Sequence, residues 1–261
     1  MSVDDDRPLL STRGLTKYYG NRIGCADVSF DLYEGEVLAI VGESGSGKST
    51  LLSLLANELA PTCGTVLYRM RDGETRDLAT LSESERRLLL RTDWGFVRQD
   101  AREGLRMGVS AGGNVGERLM AVGSRHYGRI RATAGDWLQR VEIDTARIDD
   151  TPRSFSGGMR QRLQIARNLV TGPRLVFMDE PTSGLDVSVQ ARLLDLVRSL
   201  VREMGLAVII VTHDLAVARL LSHRIMVMRA GHVIEAGLAD QVLDDPREAY
   251  TQLLVSSVLA A

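Results

Sequence analysis

The chain has 261 residues, of which 44% are hydrophobic and 25% charged, with a net charge of −2, an ordinary globular balance with no basic field for nucleic acid. That length can bury the core of one large α/β domain with a smaller insertion. Cys25 and Cys63 show no metal-ligand or CxxC spacing, which suits reduced thiols acting as small core residues in a reducing cytoplasm. Met1–Pro8 carries consecutive aspartates and no apolar stretch, so no signal peptide is expected there. The strongest apolar runs, such as Leu206–Val211, fall far short of the roughly 20 residues a membrane helix needs.

Strand patterns appear first at Val28–Leu32 and Glu36–Val41, the second nearly continuous in apolar residues, as in a strand buried on both faces. It leads directly into Gly42-Glu43-Ser44-Gly45-Ser46-Gly47-Lys48-Ser49-Thr50, with helical periodicity following over Lys48–Leu59. This is the G-x-x-x-x-G-K-[ST] phosphate-binding pattern in its required strand–loop–helix context. The glycines let several N–H groups converge on one anion. The helix start adds its partial positive charge. Lys48 is expected on the β- and γ-phosphates and the Ser49 hydroxyl on Mg²⁺. Upstream, Tyr19 stands as either an adenine-stacking residue or plain packing.

Further strands are expected at Thr65–Tyr68 and Gly95–Val97, with Gln99 just beyond the second as a candidate for Mg²⁺ or the lytic water. An arginine run over 83–106 precedes and surrounds it and includes Arg86, Arg87 and Arg91. The segment 109–154 lacks β-branched runs, and its apolar residues read as helices inserted into an α/β core of 1–108 and 155–261. Ser156-Gly157-Gly158-Met159 opens a helix over Gly158–Val170 and is a second candidate anion site without a lysine, or a simple N-cap. The strand Leu175–Met178 delivers Asp179, a candidate Mg²⁺ ligand, and Glu180, a candidate general base. Ser183-Gly184-Leu185-Asp186 follows, then a helix over Val187–Glu203 and a strand at Ala207–Val211. His213 after that strand is either a γ-phosphate ligand or an ordinary strand-end histidine. A helix at Leu215–Leu221, a hairpin through Ala230-Gly231 and two short helices complete the pattern.

Together these residues resemble the ABC-type ATPase family over nearly the whole chain. Gly42–Thr50 resembles its Walker A motif, Leu175–Glu180 its Walker B and Phe155–Gln161 its signature. Tyr19, Gln99, Ser183–Asp186 and His213 stand at its A-, Q-, D- and H-loop positions. Met159 departs from the commonest signature, which has Gln there. The resemblance implies a P-loop α/β fold of mostly parallel sheet with an antiparallel β part and an inserted helical subdomain. It also implies ATP hydrolysis with Mg²⁺ at the interface of two ABC subunits, alike or related, where Ser156–Met159 of one serve the nucleotide of the other.

Within that family, Leu88–Gly95, Val109–Met120, Arg125–Gly128 and Tyr250–Leu259 resemble the K subunits of the carbon–phosphorus lyase system for phosphonate breakdown. That branch implies docking on a soluble lyase core, with no direct contact to nucleic acid. The alternative is an importer subunit on a membrane permease, of peptide, nickel or phosphonate type. A cytoplasmic protein is expected, peripheral to the inner membrane in the importer case. Arg86, Arg87 and Arg91 are the candidate partner-docking residues.

Overall fold

The structure, a computed structural model, describes residues 7–259. Its strands are β1 (Leu10–Tyr19), β2 (Arg22–Leu32), β3 (Val37–Val41), β4 (Cys63–Arg69), β5 (Thr75–Asp77), β6 (Trp94–Val97), β7 (Leu175–Asp179), β8 (Ala207–Thr212), β9 (Arg224–Arg229) and β10 (His232–Leu238). Its helices are α1 (Lys48–Leu55), α2 (Glu83–Thr92), α3 (Ala101–Gly104), α4 (Ala111–Ala121), α5 (Tyr127–Arg140), α6 (Gly157–Leu169), α7 (Val187–Met204), α8 (Leu215–Leu221), α9 (Ala239–Asp244) and α10 (Ala249–Leu259). The chain divides into two compact units, Met1–Arg86 with Gly205–Ala261, and Arg87–Met204.

In the first unit, β3 is buried along its whole length and runs parallel to β8 on one side and β9 on the other. Antiparallel β10 continues this sheet beyond β9. The β9–β10 turn places Ala230 and Gly231 at φ 49° and 85°, the paired positive dihedrals of a tight hairpin whose twist matches its strands. An antiparallel sheet of order β2-β1-β4-β5 forms the other layer. Its first strand escapes the sequence pattern because register shifts between Thr12 and Leu15, and again near Lys17, break the inward–outward alternation. Cys25 is buried, and burial pushes its thiol up to about 11. Cys63 is exposed on β4, so only one of the two thiols is a core residue.

In the second unit, β6 and β7 pair in parallel. Trp94 meets Phe177 edge-on at 5.5 Å between centroids. Asp93, 1% exposed, is bridged by Arg174 at 2.8 Å. The segment 109–154 holds α4 and α5 and only short 3-10 turns otherwise. These helices meet where Gly116 lies under Ile130, since a Cβ at 116 would stand 2.7 Å from Ile130 Cγ2. Buried Asn114 closes the approach to α4, accepting the Arg106 N–H at 2.8 Å and donating to the carbonyls of Arg106, Val109 and Ser110. Among the described residues no helix is long and apolar enough to cross a membrane.

Candidate functional site

The loop 42–50 leaves β3 and enters α1 through Gly47, whose φ of 105° places it in the left-handed region. A Cβ there would overlap the Gly24 carbonyl, so the loop closes down on β2 to a distance only glycine permits. Gly47 caps α1 without a side-chain acceptor, leaving the helix start to backbone N–H groups alone. The Lys48 side chain is 6% exposed, and its amine is held over the loop by the carbonyls of Gly42 at 2.7 Å and Glu43 at 2.8 Å. Ser46 Oγ is buried and has no hydrogen-bond partner among the described residues. Such an orphan in a lysine-bearing loop fits an anionic oxygen ligand. Glu43, Ser44, Gly45 and Ser49 are exposed along the loop, with Thr50 half-buried at its end.

Three supports of this loop come from distant sequence, and no local pattern announces them. Gly24 sits between the Tyr19 ring and the Thr50 methyl: a Cβ on it would be 2.8 Å from the ring and 2.9 Å from the methyl. Tyr19 is therefore beside the loop's helix, 48% exposed, with the Lys17 amine 5.7 Å from its ring centroid. The Gly231 N–H donates to the Ser46 carbonyl at 2.9 Å. The Glu43 N–H donates to the Tyr250 hydroxyl at 3.2 Å, and Arg229 lies 4.8 Å from the Tyr250 ring centroid. His213, also in this unit, is exposed immediately after β8.

In the second unit, three of the candidates converge. Gln99 Nε2 donates to Glu180 Oε2 at 3.3 Å and to Ser183 Oγ at 3.2 Å. Asp179 ends β7. Glu180 follows at φ 41°, a conformation that ordinarily costs a non-glycine residue about 1–3 kcal/mol. A turn from Glu180 to Ser183 then carries the chain through Gly184, Leu185 and Asp186 to α7. Ser156 caps α6, its Oγ accepting the Met159 N–H at 3.3 Å. Gly157 lies near Leu185, a Cβ on it reaching within 3.5 Å of Leu185 Cδ2. Among the described residues no cluster of His, Cys, Asp or Glu could hold a metal unaided.

Residues 25–183 match the ABC transporter family. The chain belongs to the ABC transporter family of ATPases. As an ABC-type ATPase it binds nucleotide and hydrolyses ATP, and its fold is the P-loop ABC ATPase fold. It is 65% identical over 97% of its length to "Putative phosphonates utilization ATP-binding protein PhnK" of Escherichia coli (strain K12), covering 99% of that protein. It is 36% identical to a protein of Brucella melitensis named as a peptide import ATP-binding protein, covering 97% of this chain and 78% of the other. Among solved structures, the dimeric ATP-binding cassette MJ0796 bound to ADP and Pi superposes with TM-score 0.77 at 30% identity, over 88% of this chain and 98% of that one. The cbiO1 cassette of Clostridium perfringens superposes with TM-score 0.79 at 28% identity, over 92% of each chain.

Proposed function

We propose that this ABC-type ATPase drives a phosphonate-degrading lyase complex, hydrolysing ATP between two ABC subunits. What supports the lyase reading is the near full-length 65% identity to a phosphonates utilization protein, against 36% to peptide import proteins longer than this chain. ATP is read as binding at Gly42–Thr50, with Tyr19 against adenine and Lys48 on the β- and γ-phosphates. Ser49, Gln99 and Asp179 are the proposed ligands of Mg²⁺, which when bound would neutralise charge on the phosphate oxygens. Glu180 takes the proton of the attacking water, Gln99 orients that water, and His213 holds the γ-phosphate. Ser156–Met159 of one subunit serve the nucleotide of its neighbour, and Ser183–Asp186 form the D-loop that follows Glu180. The working location is the cytoplasm.

Glu180→Gln tests the shared site. It should bind ATP but turn over about 10²–10⁴-fold slower, since that is the usual loss with a general base. With ATP and Mg²⁺ it should elute from size exclusion as a dimer. Elution as a monomer at saturating ATP overturns the shared site. Copurification of the wild-type chain with a membrane permease instead of a soluble lyase core overturns the choice of partner.

A further inference from the structure

On one face of α6, at helical spacing, stand Gln161, Gln164 and Asn168, exposed by only 3%, 0% and 8%. Buried amides require partners, and these find theirs on the backbone of β6 and its exit. Gln164 Oε1 accepts the Arg98 N–H at 2.6 Å, while its Nε2 donates to the Arg98 carbonyl at 3.1 Å. Gln161 Nε2 donates to the same carbonyl at 3.3 Å, and Gln164 Nε2 donates to Gln161 Oε1 at 3.3 Å. Asn168 Oδ1 accepts the Phe96 N–H at 3.0 Å. Residues 96 and 98 alternate along one edge of β6 and its exit, the register of β6 with β7 running from Trp94 to Val97. The helix therefore pairs with that edge as a strand would, through amide side chains in place of a backbone. On the other side of the amide, the chain at Gly104 comes so close that a Cβ would overlap Gln164 Oε1.

The residue following this clamp is Gln99, and the helix carrying it starts at Ser156. We propose that Gln164, seconded by Gln161, is a positioning residue that ties Gln99 to the Ser156–Met159 end of α6. One rigid helix then connects the group that meets a neighbour's nucleotide to the group that touches Glu180. Seating the helix end on a γ-phosphate sets Gln99, and a displaced Gln99 withdraws the helix end. This rests on the shared-site reading above. An anion at the helix start alone does not require it. What points to it is a buried amide spending both its donor and its acceptor on the one backbone unit preceding Gln99.

The test uses the full chain with Gln164→Met, which keeps the length of the side chain and removes both bonds to Arg98 along with the one to Gln161. In the otherwise wild-type protein, the affinity for a fluorescent ATP analogue should stay within about twofold, because the phosphate loop and its supports lie in the other unit. The kcat for ATP hydrolysis should fall tenfold or more, with KM little changed. In a Glu180→Gln background, the ATP concentration needed for dimerisation should rise at least tenfold. Gly104→Ala, which crowds the same amide from the far side without altering it, should reproduce both effects and serves if Gln164→Met does not fold. Asn168→Leu, which frees the Phe96 N–H and the Gln164 carbonyl but leaves the amide bonds to Arg98 in place, is the comparison for a purely structural loss. The proposal is overturned if Gln164→Met dimerises at the same ATP concentration as its Glu180→Gln parent, or if kcat and affinity fall together as far as in Asn168→Leu. A parent that stays monomeric overturns the shared site itself, and the coupling with it.

Discussion

Lys48 is an ammonium enclosed by its own loop, and its two carbonyl partners hold it where a triphosphate's oxygens would compete for the same protons. A charged hydrogen bond to phosphate is stronger than one to a neutral carbonyl, so the exchange favours the nucleotide. Lys48→Ala should abolish binding of a fluorescent ATP analogue, whereas Ser49→Ala should keep binding but weaken its dependence on Mg²⁺. Wild-type affinity in Lys48→Ala would remove the loop from the site. The loop's own residues were legible in the sequence because spacing alone makes glycine, lysine and hydroxyl converge after a buried strand. Gly24, Gly231 and Tyr250 were not, since each touches the loop only after strands far apart in sequence have paired. Gln164 was hidden for another reason: a glutamine within an amphipathic helix shows no sign that its amide will face inward.

At the scale of elements, the longest apolar strands and helices read correctly because burial on both faces, or on one stripe, leaves a periodic trace. The α6, α7 and α8 expectations lie within about one residue of the structure, a margin common at frayed ends. Element α2 was concealed by its arginines although its start carries a capping box, Ser82 Oγ accepting the Glu85 N–H at 3.3 Å and Glu85 returning to the Ser82 N–H at 2.8 Å. A comparable cap comes from a distant residue at the entry to α10, where Glu235 accepts the N–H groups of Arg247 at 2.8 Å and Glu248 at 3.2 Å. Burial alone would raise the Glu235 carboxyl, but these backbone bonds outweigh it and hold it below the ordinary glutamate range. A depressed carboxyl adds stability above its unfolded pKa of about 4.3, and that contribution is lost as pH falls through the folded value. Glu235→Ala should therefore cost about 1 kcal/mol at pH 7, as lost helix caps do, with the gap to wild type closing in acid. Urea denaturation at pH 7 and below pH 4 measures both, and an equal gap at the two pH values would show that the carboxylate charge plays no part.

At the scale of the whole molecule, the sequence carried the family because its motifs occur in one order over most of the chain. A partner leaves a fainter trace, being written in surface residues that no core constrains. In α2, Leu88 is 58% exposed beside exposed Arg87, whereas Leu89 is buried and Leu90 half-buried. Of the arginines, Arg86 already bonds Glu83 at 2.8 Å and the Asn57 carbonyl at 3.2 Å, which gives it a local duty besides any docking. Arg87 and Arg91 are exposed. We propose that this helix docks on an acidic patch of the lyase core through paired guanidinium–carboxylate bonds, which lysine would reproduce poorly. Truncating one member of a buried interfacial charge pair costs about 2–5 kcal/mol, whereas a rim charge costs little. The Arg86→Glu, Arg87→Glu double variant should then lose the lyase core in a pull-down while keeping the nucleotide affinity of the isolated subunit. Because Arg86→Glu also breaks the bonds to Glu83 and Asn57, Arg87→Glu alone is the second arm and should also weaken capture. Wild-type stoichiometry in the double variant at moderate salt would make these arginines a solvated face and move the docking surface elsewhere.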